Sequence, residues 1–301
     1  SVTVIDLFIY GEDVLPEHPR MKKIKGDIRD RSIVENSLQN IDAVIHLACI
    51  SNDPSFELDP GLGKSINYDA FIALYSLAQA KKVKRFIYAS SSSVYGIKET
   101  ENVTEDLPLE PLTDYSKYKA LCEEYMLRNL DDAMTSLILR PATVCGYSPR
   151  QRLDLTVNIL TNYAVNTGRI RVFGGDQKRP NIHIQDITDL YIKCLRYPDE
   201  KIHGKIFNAG YENYTVREIA DIVKCGISDK DIEIITEPTS DARSYHISSG
   251  KIYRELNFEP CCTLGDAVCE LTQAFESGKL PDSMNDKRYF NIKTMQAIHL
   301  K

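Results

Sequence analysis

From Val2 to Val144, short runs of β-branched and apolar residues alternate with stretches of helical period, and this order constrains the fold more than any other feature of the chain. Strands that alternate with helices build a parallel α/β sheet with helices on both faces. The runs VTVIDLF (2–8), MKKIKGD (21–27) and DAVIHLA (42–48) read as strands, as do KRFIYASSSS (84–93) and TSLILRPATV (135–144), the last halted by Pro141. Ala70, Leu74, Leu77 and Ala78 recur at helical intervals and predict a helix over 67–83. A second helix is predicted over 114–130, with Asp114 as a possible cap.

Function in open parallel sheets gathers where the strands end. His46-Leu47-Ala48, the serines Ser90 to Ser93 and Pro141-Ala142-Thr143 stand at such ends, so one crevice is expected to collect them. Past Tyr147 the alternation loosens, and Arg150, Arg152, Lys178, Arg179 and Arg243 fall near loops or strand ends. The expected division is a first domain over 1–146 and a smaller lobe over 147–301 that returns some elements to the first.

A net charge of −6 gives no general electrostatic reason to bind nucleic acid or an anionic membrane, so an anionic ligand must be met by local cations. The eight cysteines are scattered and read as reduced thiols of a cytoplasmic chain. Cys261 and Cys262 adjoin without a nearby histidine, and no CxxC or HExxH spacing occurs, so no metal is expected. No run approaches the ~20 apolar residues of a membrane span.

TDYSKYKA (113–120) places Tyr115 and Lys119 four residues apart, on one helix face. The interval recurs at Tyr197/Lys201 and Tyr289/Lys293, so spacing alone does not make a site. Its company does. YASSSSVYG (88–96) followed by YSKYK (115–119), together with VIHLA, LRPATV and KRPNIHIQD, resembles the extended short-chain dehydrogenase/reductase family, in particular nucleotide-sugar epimerases of the UDP-galactose 4-epimerase type.

The resemblance implies a Rossmann-like doubly wound sheet that binds NAD, a smaller C-terminal lobe for a nucleotide diphosphate sugar, and a homodimer joined through helices 67–83 and 114–130. By it Tyr115 is the acid/base, Lys119 holds the nicotinamide ribose, and Ser91, three positions before Val94, is the hydroxyl partner with Ser92 beside it. Asp6 would accept the adenosine ribose hydroxyls and repel an added phosphate. Asp27 and Ile28 would border the adenine, Leu47 and Ala48 the pyrophosphate, and Pro141 and Val144 complete the cofactor set. Asp27 serves equally as a helix cap. Asn158, Arg179 and Arg243 are implied for the substrate's diphosphate, with Lys178 and Arg150 as further candidates; His183 is expected in the scaffold and Cys145 in packing.

A free tyrosine titrates near ~10, so action as a base near neutrality asks for a shift worth roughly 4 kcal/mol. Lys119, the positive end of a helix and an oxidised nicotinamide are expected to supply it. Dehydratases of the family carry Asp-Glu directly before the valine and decarboxylases a Glu, whereas this chain has Ser92-Ser93. The expected activity is therefore epimerisation at C4 through a transient 4-keto sugar, with a nucleotide-sugar reductase or dehydrogenase, or a non-catalytic nucleotide-sugar-binding regulator, as alternatives. No GxGxxG or GxxGxxG precedes Asp6, so the run at 2–8 reads as a second strand, and about 30 residues bearing the first strand and Gly-rich turn are expected upstream.

Overall fold

The computed structural model describes residues 1–227, 231–239 and 244–298. Strands β1 (Val2–Asp6) and β2 (Met21–Lys25) pair in parallel, Val2 opposite Met21 and Asp6 opposite Lys25. Strands β3 (Ala43–His46), β4 (Arg85–Ala89) and β5 (Thr135–Pro141) then lie side by side, also parallel. The chain next forms β6 (Thr143–Cys145), β7 (Arg169–Phe173) and β8 (Lys178–His183), after which β9 (Lys205–Ala209) returns to pair with β5. Strand β10 (Glu212–Thr215) runs antiparallel to β8, and β11 (Glu233–Glu237) runs parallel to β7.

Two differences from expectation concern the sheets. Among the described residues the strands of the first half form two parallel sheets, β1-β2 and β3-β4-β5-β9, rather than one. β5 ends at Pro141 as expected, but the rest of the run is not loop: Thr143 and Val144 open a further strand in another sheet. Ala142 N donates to Ala209 O, and β6 then pairs with β8 instead of extending β5.

The helices also differ at their ends. Asn67 and Tyr68 lie in a π turn (Ser65–Asp69) that leads into the Ala70–Ala80 helix, and Lys82 turns the chain with φ +58°. The Asp114–Arg128 helix is capped by Thr113, whose hydroxyl accepts from Ser116 N, while Asp114 sits in its first turn.

Strand periodicity sorts the core. Phe86, Tyr88 and Ile138 face the Ala70–Ala80 and Asp114–Arg128 helices and pack with Phe71, Leu74, Tyr75, Cys122 and Met126. Ile87, Leu137 and Leu139 face the other way, onto Leu190, Ile252 and Leu256. A separate cluster built on Val157, Ile170, Val172, Ile219, Val223 and Val268 fills the second half of the chain. No described helix is long and apolar enough to cross a membrane.

Candidate active site at the strand ends

The Asp114–Arg128 helix lies against the end of β4, and its register is fixed along one face. Tyr115, Lys119 and Glu123 follow at intervals of four, so all three look toward β4 and β5. Lys119 Nζ donates to Ala89 O at 2.6 Å, the last carbonyl of β4. Glu123 receives Ser90 Oγ and a forked pair from Arg140 of β5, Nε at 3.0 Å and Nη2 at 2.6 Å. Arg140 in turn donates to the Tyr95 hydroxyl, which donates to Asn208 on β9. A buried polar chain thus ties the helix to three neighbouring strands.

Ser91 caps the short 3-10 turn Ser92–Tyr95, its hydroxyl on Ser93, and it lies near enough to the Tyr115 phenol to draw the phenol's titration down. The structure brings Ser91, Tyr115 and Lys119 together. Ser92 is buried at the base of the turn. Lys119 stands 5.9 Å from the Tyr115 ring centre and 5.1 Å from that of Tyr88, with its Nζ on Ala89 O rather than on the phenol oxygen.

The expected lowering of the Tyr115 phenol is corrected accordingly. Burial, its largest influence, drives the group well above its ordinary range, the Cys49 thiol and Asp53 add to the rise, and Arg152 and the nearby Ser91 hydroxyl pull it down. A low-dielectric site disfavours the phenolate until further positive charge arrives.

The ends of β1, β2 and β3 enclose a cavity of about 170 Å³. Asp6, Asp27, Ile28, Leu47 and Ala48 all line it. Asp6 Oδ1 accepts Phe8 N at 2.6 Å, which leaves the second oxygen for a ligand hydroxyl. Asp27 is paired with Arg29, and this pairing, foremost the side-chain hydrogen bond, holds its carboxyl below the usual range. It is not the helix cap, because Asp30 caps the Arg31–Ser37 helix. Pro141 and Val144 do not line this cavity. A hollow of about 530 Å³ around Tyr147, His183, Glu270 and Lys279 holds none of Ser91, Tyr115 and Lys119. The smaller cavity is the better candidate, since strand ends converge there and Ile50 and Met295 of its lining pack in the cluster that Tyr115 joins.

The remaining expected residues divide. Asn158 is buried with its amide engaged at both ends, Oδ1 by Gly146 N and Nδ2 on Arg152 O. It braces the loop between them. Arg179 stacks over Tyr245 at 5.2 Å and donates to Lys178 O. Arg243 lies outside the described residues. His183 ends β8, accepts Gln185 N and meets Glu270 at 3.1 Å, a scaffold position. Cys145 is packed in the second core, and burial pushes its thiol up to about 12.

Four residues join the site without a local signal. Tyr10, Ser51 and Asn291 line or border the cavity, and Arg152 donates to Ser51. Arg150 lies 3.5 Å over the Tyr10 ring and donates to Asn291. One group of possible metal ligands also converges among the described residues: Asp186, Cys261 and Cys262, where Asp186 accepts both cysteine backbone N–H groups. None of these three lines the cavity.

A family model described as "NAD dependent epimerase/dehydratase family" matches residues 2–210. The chain belongs to this family. A UDP-glucose 4-epimerase of Lactobacillus helveticus is 28% identical over 242 residues, 73% of each chain. Among solved structures, a UDP-glucose 4-epimerase of Thermotoga maritima with UDP-glucose superposes with a TM-score of 0.81 at 22% identity, covering 92% of this chain and 91% of that one. The dTDP-glucose 4,6-dehydratase DesIV of Streptomyces venezuelae, with NAD bound, gives 0.82 at 22% identity over 94% and 90%. The fold is therefore that of the family, and both of its reactions occur among the neighbours.

NAD is the cofactor of the family, and the residues present fit one end of it. Ile5, Ile28, Ile66 and Met295 offer apolar walls for a flat ring, with the Asp6 carboxylate at the rim. At about 170 Å³ the cavity is below the ~300 Å³ where ligand pockets begin, so it suits a ring and ribose rather than a whole dinucleotide.

Proposed function

We propose that this chain is a nucleotide-sugar epimerase that inverts C4 through a transient 4-keto sugar. The observation that carries the proposal is the joint placement of Ser91, Tyr115 and Lys119 at the end of β4, with Ser92-Ser93 standing where a dehydratase needs its acid and base. NAD, held by Asp6 and the apolar walls of the strand-end cavity, would supply the oxidised ring needed for reversible hydride transfer.

The chain's own residues handle the proton. Tyr115 oxygen removes it from the sugar hydroxyl, and Ser91 orients that oxygen while sharing the proton. Lys119, anchored on Ala89 O, holds a fixed positive charge beside the Tyr115 ring and would hold the nicotinamide ribose. Asp6 takes the adenosine ribose hydroxyls, which favours NAD over its 2′-phosphorylated form. Arg179 and Arg243 serve the substrate's diphosphate, their planar forks matching two phosphate oxygens. Asn158 serves by holding the 146–152 loop.

The division at 146/147 belongs to this reading: the first part holds the cofactor and the second mainly the nucleotide sugar, with β9 returning to β5. A cytoplasmic location accords with eight free cysteines. A homodimer through the Ala70–Ala80 and Asp114–Arg128 helices is part of the proposal, and light scattering on the purified protein checks it.

The test is incubation with UDP-, GDP-, CDP- and dTDP-sugars followed by proton NMR. Inversion at C4 with no net NADH change is expected. A 4-keto-6-deoxy product would replace this reading with dehydration, and net NADH formation would replace it with dehydrogenation.

A further inference from the structure

We propose that Asp186, Cys261 and Cys262 form a binding site for a zinc-type divalent cation, two thiolates and one carboxylate oxygen supplying three of its four tetrahedral ligands. The proposal is independent of the reaction argued above.

The site is assembled across the fold. Asp186 stands in the first turn of the Ile184–Cys194 helix, and Cys261 and Cys262 lie 75 and 76 residues further on, in the chain that enters the Leu264–Glu276 helix. Adjacent cysteines without a histidine offer no metal spacing in the sequence, because the third ligand comes from that distance.

The backbone of the pair is fixed. Cys261 N donates to Asp186 Oδ1 and Cys262 N to Asp186 Oδ2, both at 3.0 Å. Thr263 N donates to Asp266 at 2.7 Å and Leu264 N to Glu212 at 2.6 Å. Consecutive N–H groups from 261 to 264 thus all end on carboxylates. Among the described residues no lysine or arginine forms an ion pair with Asp186, Glu212 or Asp266, so a cation would meet negative charge that the protein leaves unbalanced.

On this frame the thiols converge. Neighbouring side chains of an extended segment point to opposite faces. Here Cys261 Sγ lies 3.9 Å from Cys262 Sγ and 3.4 Å from Asp186 Oδ1, and the three ligand atoms all fall within 4.8 Å of one another. Zinc bonds of about 2.3 Å to sulfur and about 2.1 Å to oxygen, at tetrahedral angles, set two sulfurs about 3.8 Å apart and a sulfur and an oxygen about 3.6 Å apart. The observed spans are those of ligands around one ion.

The site is open on one side. Asp186 is buried, but Cys261 is exposed and Cys262 partly so, which gives an ion its entry and leaves the fourth position to solvent. Thiolates select zinc and its soft neighbours, whereas calcium and magnesium require a shell of oxygens. Ile187 and Leu190 belong to one core cluster and Leu264, Ala267 and Val268 to another, so the ion would tie the two together.

The whole protein, its thiols kept reduced by a phosphine, is titrated with cobalt(II) and then zinc. One equivalent of cobalt should bind with the intense visible absorption of a tetrahedral site and a sulfur-to-cobalt charge-transfer band. Zinc should displace it and raise the unfolding temperature. Cys261→Ser and Cys262→Ser leave the Asp186 bonds to the backbone in place; each should weaken binding at least tenfold. The double variant should lose both the band and the stabilisation by zinc, with its metal-free unfolding temperature unchanged. Cys225→Ser/Cys269→Ser, which removes the other exposed thiols, should behave as wild type. Absence of a one-equivalent site in the wild type overturns the proposal, as does a band that survives in the Cys261→Ser/Cys262→Ser variant or disappears in the Cys225→Ser/Cys269→Ser variant. A Cys261–Cys262 disulfide that takes up no ion after reduction overturns it as well.

Discussion

Glu123 and Arg140 form a forked ion pair 2.6 Å apart at its shortest, each only 2% exposed, and through it the helix carrying Tyr115 and Lys119 is bolted to β5. Breaking one partner leaves the other charge buried and unpaired, which costs about 3–5 kcal/mol. Glu123→Ala should lower the unfolding free energy obtained from urea titration by that amount. Replacing both residues with apolar ones of similar volume should recover much of the stability, because two desolvated charges are removed together. Turnover should not recover with it, since the helix loses its register on β4. A double variant with full activity would show that the pair serves stability alone.

Tyr115→Phe keeps the ring in its apolar cluster and removes only the oxygen proposed to move the proton. Turnover should fall by about 10²–10⁴-fold, with NAD affinity by calorimetry unchanged. The buried phenol is held high, so activity in the wild type should rise with pH as the phenolate forms. Ser91→Ala removes one of the influences that lower it and should move that rise to higher pH. Identical profiles for Ser91→Ala and wild type would dissociate Ser91 from the acid/base.

What could be read from the sequence was local. The strand ends that carry Asp6, Leu47-Ala48 and the serine cluster followed from period and terminators, and five of the expected cofactor residues line one cavity. Tyr115 and Lys119 were singled out by the motifs around them, which carry the family resemblance, since a spacing of four recurs at Tyr197/Lys201 and Tyr289/Lys293 and gives only a shared helix face. Arg152, Ser51 and Asn291 were not visible, because their contacts join positions 101 and 240 residues apart and no local period encodes such a meeting. The same limit hid the engaged amide of Asn158. The high-held phenol escaped for another reason: burial is a tertiary property, and Tyr115 read alone shows only its attractive neighbours.

Asp6 offers a charge at the cavity rim, with one oxygen on Phe8 N. Asp6→Asn keeps an acceptor for that N–H and removes the charge. The ratio of NADP to NAD dissociation constants should fall about tenfold, the loss of roughly 1.4 kcal/mol of discrimination. An unchanged ratio would place the ribose elsewhere.

His46 gives the chain a pH-dependent stability of known sign. It ends β3 at 5% exposure, stacked on Tyr88 at 5.9 Å and flanked by Phe71 and Phe86. Burial, and secondarily the Lys119 charge, hold its imidazole down to about 3. In the unfolded chain it titrates near ~6.5. Between those values the unfolded state binds a proton that the folded state refuses, so stability from this group is complete above ~6.5 and drains away as pH falls toward about 3. The slope is at most about 1.4 kcal/mol per pH unit, or about 3 kcal/mol between pH 6.5 and 4.5. Acidic side chains contribute slopes of their own, so the informative quantity is the difference from His46→Leu, a near volume match without a titrating group. Urea unfolding at several pH values should give a shallower acid decline for the variant. Parallel declines would mean that the folded state takes up the proton at His46 without penalty, and that the aromatic cage opens to water.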